Sequence, residues 1–297
     1  MQDDFDESKM FSQAAIRPHS LLEKYYRLPG LNVNLPSKGK FLSECHFEMD
    51  GTIAVSPMKA SDDMMFKTPD ALMSGAALEN LFGSCVPSIS NPREISIPDI
   101  DVLLIAIRVA TYGPKMKLDV TCPSCKEEYE FSVNLSSVLS TMTFIDEEPV
   151  VKITEELTAI VRPYNLINAT KIALTAFEQS RILQNLTELN LDDKEATKVR
   201  SDTMEKAIEI INEVNDKTIT DCIYEIRTPE GNVTNKGEIY KFISNTSKAW
   251  KEKIEEKIKS MNEKGVDKNI DLECPSCKNK WASTLEVDPT NFFDAGS

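Results

Sequence analysis

No apolar stretch of this chain is long enough to cross a bilayer. The longest strongly apolar run, Val102 to Ile107, sits between Asp101 and Arg108 and falls far short of the roughly 20 residues a span needs. No membrane partner is expected. Basic charge is scarce as well: 34 Lys and Arg stand against 48 Asp and Glu, a formal net charge of −14. Affinity for phosphate backbones requires clustered Lys and Arg, so no nucleic-acid partner is expected, and the acidity promises solubility. Only two histidines occur, His19 and His46. Neither sits in a recognised acid–base constellation, and each reads as an ordinary arm or strand residue. Gly39-Lys40 follows no correctly spaced glycine and precedes Phe41, which removes the phosphate loop. GxSxG and HExxH are missing too, so nothing here points to an enzyme. The opening MQDDFDESKMF is acidic where a secretory leader is basic and then apolar, and the expected location is the cytosol of the cell that makes the chain.

What is present is cysteine in a pattern. The chain has 297 residues, enough for one or two domains, and seven cysteines, which a reducing compartment keeps as thiols or metal ligands. Four of them form two near copies of one stretch, LDVTCPSCKEEYEFSVNL at 118–135 and IDLECPSCKNKWASTLEVD at 270–288. Aligned on cysteine, Leu118 matches Ile270, Val120 matches Leu272, Tyr129 matches Trp281, and Val133 and Leu135 match Leu285 and Val287. Each copy reads as a β-hairpin tipped by a knuckle. Two cysteines separated by two residues can aim both sulfurs at one ion, and two such knuckles supply the four thiolates of a tetrahedral zinc site: Cys122, Cys125, Cys274 and Cys277. Closing so long a loop costs about 5 kcal/mol of chain entropy, whereas structural zinc gains about 10–16 kcal/mol in small peptides. The metal wins, and about one zinc per chain is expected, in a structural role because four protein ligands leave no open position. A redox pair at each CxxC would need a βαβ setting and no twin, and an iron–sulfur cluster lacks nearby redox-partner motifs. A zinc shared between subunits stays open at this point. Cys45, Cys85 and Cys222 lie in apolar-alternating contexts and read as small buried hydrophobes.

Around the knuckles the text is mixed. LNVNL (31–35) reads as a strand, and Asp50-Gly51, flanked by alternating stretches, signals a hairpin. Helices are expected near 60–66 and 69–83, the second opened by Pro69-Asp70 and carrying Leu72, Ala76, Leu78 and Leu81. PDIDVLLIAIRVATYGP (98–114) reads as a buried helix with Gly113-Pro114 past its end. Asp62-Asp63 and Asp99/Asp101 read as helix-start acids in preference to a cation site. Two strands at 150–153 and 157–163 precede a helical stretch from Ile167 through Leu183 and Leu186, a further helix over about 193–215, and a hairpin at 220–234. A last helix from Ser247 to about Lys264 carries Trp250, Ile254, Ile258 and Met261 on one side. Its lysines are interleaved with glutamates, which reads as a solvated face opposite a packing stripe in preference to a nucleic-acid element.

Three ordered blocks carry a likeness: YYRLPGLNVNLPSKGKF (25–41), SPMKASDDMMFKTPDALMSG (56–75) and IDVLLIAIRVATYGPKMKLDVTCPSCKEE (100–128). They resemble the baseplate hub protein family of T-even-type contractile-tailed bacteriophages, with its "LPS-G-KF" strand, "P-M-A-D-D" helix start and "A-R-ATYGP…CPSC" block. The resemblance covers about residues 25–135. It implies a non-enzymatic role in virion assembly, as a hub subunit or as an assembly factor (a chaperone) later lost. It also implies other baseplate hub or tail proteins as partners, with self-association open, and residence in the host cytoplasm during assembly or in the virion tail baseplate. The rival readings are a zinc-ribbon nucleic-acid-binding accessory of transcription or replication, and an enzyme with a pocket beside the ribbon.

The expected fold is α+β: mixed β-hairpins and helices with a split four-cysteine zinc ribbon and an α-rich insertion. Its expected divisions are a flexible N-terminal arm at 1–22, an α+β body with the first knuckle at 23–135, the insertion at 136–267, and the second knuckle with a tail packing back on the body at 268–297.

Overall fold

The computed structural model describes residue 22 and residues 28–68, 74–145, 148–188, 193–287 and 292–293. The arm at 1–22 apart from Leu22, His19, the helix opening at Pro69-Asp70 with Leu72, and the side chains of Leu183 and Leu186 lie outside the described residues. The fold is α+β. Its sheets are all antiparallel, three of two strands and one of four among the described residues.

One core gathers around a central helix. β1 (Leu31–Val33) pairs with β2 (Ile53–Val55), Leu31 opposite Val55. α1 (Ala60–Phe66) and α2 (Ala76–Cys85) follow, and then α3 (Ile97–Tyr112). Pro98 in the first turn fits a helix start because its missing N–H is an unsatisfied donor there anyway. Gly113 ends the helix at φ 87°, its N–H reaching the Val109 carbonyl at 2.9 Å. Every residue from Val102 to Ile107 is buried, so the longest apolar run belongs to a helix surrounded on all sides and not to an amphipathic one. Leu35, Ile53, Leu81, Phe82 and Leu135 pack in the same core. Within it Asp99 is fully buried, accepting from the Ser37 N–H at 2.9 Å and the Ser96 hydroxyl at 2.6 Å. Burial holds its carboxyl above the usual range despite these bonds. Asp62 accepts from the Lys59 N–H, and Asp63 and Asp101 pair with Lys67 and Lys268. Capping for Asp62, ion pairing for Asp63 and Asp101, and the bonds from Ser37 and Ser96 for Asp99 therefore occupy all four acids.

α3 leads into a hairpin, β3 (Lys115–Thr121) with β4 (Glu128–Asn134), and the short α4 (Leu135–Ser140) returns its end to the core. A second core then forms around a four-stranded sheet in chain order: β5 (Val150–Lys152), β6 (Thr158–Val161), β7 (Ile223–Thr228) and β8 (Gly231–Val233). Between β6 and β7 the chain runs out and back as two long helices, α5 (Leu166–Glu188) and α6 (Asp193–Cys222). The Lys236 ammonium donates to the carbonyls of Thr220, Asp221 and Ile223 at the end of α6, where a cation suits the exposed C=O groups. α7 (Lys236–Asn245) and α8 (Lys248–Asn262) close this core. Ile254, Ile258 and Met261 of α8 are buried at the i, i+4, i+7 spacing of one helix face. Four of its lysines are engaged with neighbours: Lys251 with Asp216 at 2.5 Å, Lys253 with the Ile153 carbonyl, Lys248 with Glu252 and Lys259 with Glu263 just past the helix end.

The two ends of this excursion meet. Thr143 and Gly265 exchange backbone hydrogen bonds at 2.8 and 3.1 Å. Beyond Gly265 come β9 (Asn269–Glu273) and β10 (Lys280–Thr284), a second hairpin, after which Leu285, Phe292 and Phe293 rejoin the first core.

Three local expectations differ from what forms. The Asp50-Gly51 turn is made, with Gly51 at φ 80° and its N–H on the Glu48 carbonyl, but β2 pairs with β1 and not with the stretch before the turn. α6 runs on to Cys222, past 215, because its last turns are buried through Thr218, Ile219 and Thr220. α4 and α7 have no counterpart in the sequence pattern: each is short, and burial of Leu135, Val138, Ile239 and Ile243 against a core fixes it.

Candidate metal centre

Both knuckles are built the same way. In the first hairpin Val120 stands opposite Tyr129 and Thr121 opposite Glu128; in the second Leu272 stands opposite Trp281 and Glu273 opposite Lys280. The six residues joining the strands close with two matching hydrogen bonds. Cys122 N–H donates to the Glu127 carbonyl at 2.9 Å and Lys126 N–H to the Cys122 carbonyl at 3.0 Å; Cys274 and Asn279, Lys278 and Cys274 repeat them at 2.9 and 3.0 Å. The tightness of the turn forces Lys126 and Lys278 to φ 64° and 59°, a left-handed conformation that side-chain-bearing residues seldom adopt.

The two tips face one another and all four sulfurs converge. Cys122 Sγ lies 3.6 Å from Cys277 Sγ, and Cys125 Sγ lies 3.6 Å from Cys274 Sγ. The four atoms lie within 4.8 Å of one another. Each of these contacts joins the first cysteine of one knuckle to the second of the other, and a local two-fold relation makes the two distances alike. At a zinc–sulfur distance of about 2.3 Å the sulfurs of a tetrahedron stand about 3.8 Å apart, so the spacing fits a tetrathiolate ion site. It does not fit a disulfide, which needs about 2.05 Å, and all seven cysteines are free. The geometry is contained in one chain.

Electrostatics describe the same cluster. Cys122 is held down to about 6: burial opposes ionisation, but the amides of Cys125 and Ser124 and the neighbouring thiols aim hydrogens at its sulfur. Cys125 is pushed up to about 12, because the Glu127 amide that favours its thiolate is outweighed by burial and by the adjacent sulfurs of Cys277, Cys122 and Cys274. One sulfur thus ionises readily while the next resists, as expected when negative charges crowd together. A divalent cation among them removes that conflict, since metal ligation favours all four thiolates. Cys122 and Cys274 are buried and Cys125 and Cys277 exposed, so the centre has one sealed side and one open to solvent.

Tyr129 and Trp281, the matched aromatics, meet edge to face with centroids 6.4 Å apart and planes at 88°. The Tyr129 hydroxyl is buried without a hydrogen-bond partner, and burial together with the sulfurs of Cys274, Cys122 and Cys277 raises its pKa. This aromatic contact was legible only as an alignment of two residues.

The other cysteines lie elsewhere. Cys85 and Cys222 are buried and Cys45 half-buried; burial drives Cys222 up to about 12 and raises Cys45. His46 is exposed on a loop. The entry to the second knuckle is anchored by Lys268, whose ammonium is 2.8 Å from Asp101 of α3.

Comparison with known families gives one result. A family model described as T4 bacteriophage base plate protein matches residues 29–294, a span that includes both knuckles and everything between them. No curated protein and no solved structure matches the chain. Among the described residues no helix is long and apolar enough to cross a membrane.

Proposed function

The chain belongs to the T4 bacteriophage base plate protein family, and from that premise we propose a non-enzymatic tail morphogenesis protein, a subunit or assembly factor of the baseplate hub. It works through contacts with other hub or tail proteins, in the host cytoplasm during assembly and, as a subunit, in the virion baseplate. The observation that carries this reading is the family match across residues 29–294.

Cys122, Cys125, Cys274 and Cys277 are the ligands we assign to one structural Zn²⁺ per chain. Their sulfurs lie within 4.8 Å of one another, and four thiolates fill a tetrahedral shell, leaving no position for substrate or water. The ion's chemistry is that of a clasp. It fastens the segment at 268–297 to the body at 23–135, with 136–267 as an inserted unit and 1–22 as an arm. Two apolar cores support an inserted unit, with Val138 and Leu166 of that range packing in the first core.

A phage carrying a stop codon early in this reading frame tests the role. Infection of a non-suppressing host is expected to give heads and no complete baseplates, with recovery when the chain is supplied from a plasmid. Mass spectrometry of purified virions then separates the two forms of the proposal, since a subunit stays and an assembly factor is lost. A normal yield of infectious particles overturns it.

A further inference from the structure

Most of the exposed large apolar side chains among the described residues lie on the hairpin of α5 and α6. Its own seam is thin: Gln179 and Ala207 are buried there, with Thr175 and Thr203 half-buried. At about 100° per residue, one broad face beside that seam carries two unlike stripes. On α5 it carries Ala169, Ala173, Ala176 and Ser180, the last three exposed. On α6 it carries Met204, Ile208 and Ile211, at 57, 52 and 47% exposure. None of these side chains is charged, in a chain of net charge −14.

We propose that this face binds a second copy of the chain, the two hairpins stacking face to face as an antiparallel four-helix bundle. The occupant follows from the stripes themselves. A two-fold axis running along the hairpin sets α6 of one copy over α5 of the other, and every contact then occurs twice. Residues equally far from the connection between Glu188 and Asp193 stand at one level. Met204, Ile208 and Ile211 therefore come beside Ala176, Ala173 and Ala169 of the other copy, large side chains against small ones, as helix packing requires. An unrelated partner would need to supply both textures in the same order; this chain already has them.

Sedimentation of the full, zinc-loaded chain at tens of micromolar tests this. The expected mass is twice 33.3 kDa. Ala173→Lys and Ile208→Glu, both at exposed positions, are each expected to sediment as monomers with unchanged helix content. Mixing the two variants is expected to restore the dimer, because one of its two equivalent contacts then pairs Lys with Glu while the other keeps Ala against Ile. A native chain that sediments at the monomer mass overturns the proposal, as do single variants that remain dimeric or a mixture that stays monomeric.

Discussion

Lys126 and Lys278 hold a backbone conformation that costs a side-chain-bearing residue about 1 kcal/mol or more, at φ 64° and 59°. They hold it because each knuckle must turn its second cysteine back toward the first. Glycine relieves that strain but loses more entropy on folding, so Lys126→Gly is expected to change stability by less than about 1 kcal/mol, in the stabilising direction. Lys126→Val, branched at Cβ, is expected to lose about 1–2 kcal/mol. Thermal denaturation of the two variants checks the ordering. The cysteines were legible from the sequence because CPSCK is written twice with matching flanks. The strain at Lys126 was not, since nothing in a lysine announces positive φ. Nor was Arg108, which in sequence merely ends an apolar run. It is 1% exposed, its guanidinium donating to the Phe292 carbonyl and lying 5.4 Å from the ring centroids of Tyr112 and Phe292. A contact 184 positions away has no local signature. Arg108→Ala opens a cavity and leaves that carbonyl without this donor, so a loss of about 3 kcal/mol is expected, together with faster chymotryptic cleavage at Phe292 and Phe293. Unchanged stability and cleavage would contradict the role given to this arginine.

Among the elements, the bridge between Thr143 and Gly265 sets where the second hairpin begins. Gly265 has φ 110°, and a Cβ there would lie 3.3 Å from the Pro98 carbonyl oxygen. Gly265→Ala is therefore expected to cost about 1–3 kcal/mol and to weaken zinc retention against a chelator, because it displaces the base of one knuckle. Denaturant titration and zinc release measured on the same variant check both effects. α3 was readable because its middle, Val102 to Ile107, is apolar all round and it stops at Gly113-Pro114. α7 carries one local signal, Asn235 three residues before Glu238, and the structure uses it: the Asn235 side chain accepts from Gly237 and Glu238 N–H at 2.9 and 3.1 Å. The Asp50-Gly51 turn was local and legible. The partner of the strand after it was not, because pairing with β1 is set by burial of Val33, Ile53 and Val55 in a shared core.

For the whole molecule, the excursion between the knuckles is not a slack loop. Its ends are held together at Thr143 and Gly265, and its interior is a second core with its own sheet. The loop-closure cost of about 5 kcal/mol expected of an unstructured chain is thereby reduced, and the proposed ion would fasten parts already close to one another. Distance along the sequence concealed this, while the repeated motif revealed it. Zinc K-edge absorption together with metal content, on the purified chain, tests the central claim most directly. The account predicts one zinc per chain with four sulfur neighbours at about 2.3 Å, and loss of both when Cys122 or Cys274 is replaced by serine. No zinc in the native protein, half an equivalent, or a shell containing nitrogen or oxygen ligands would contradict it.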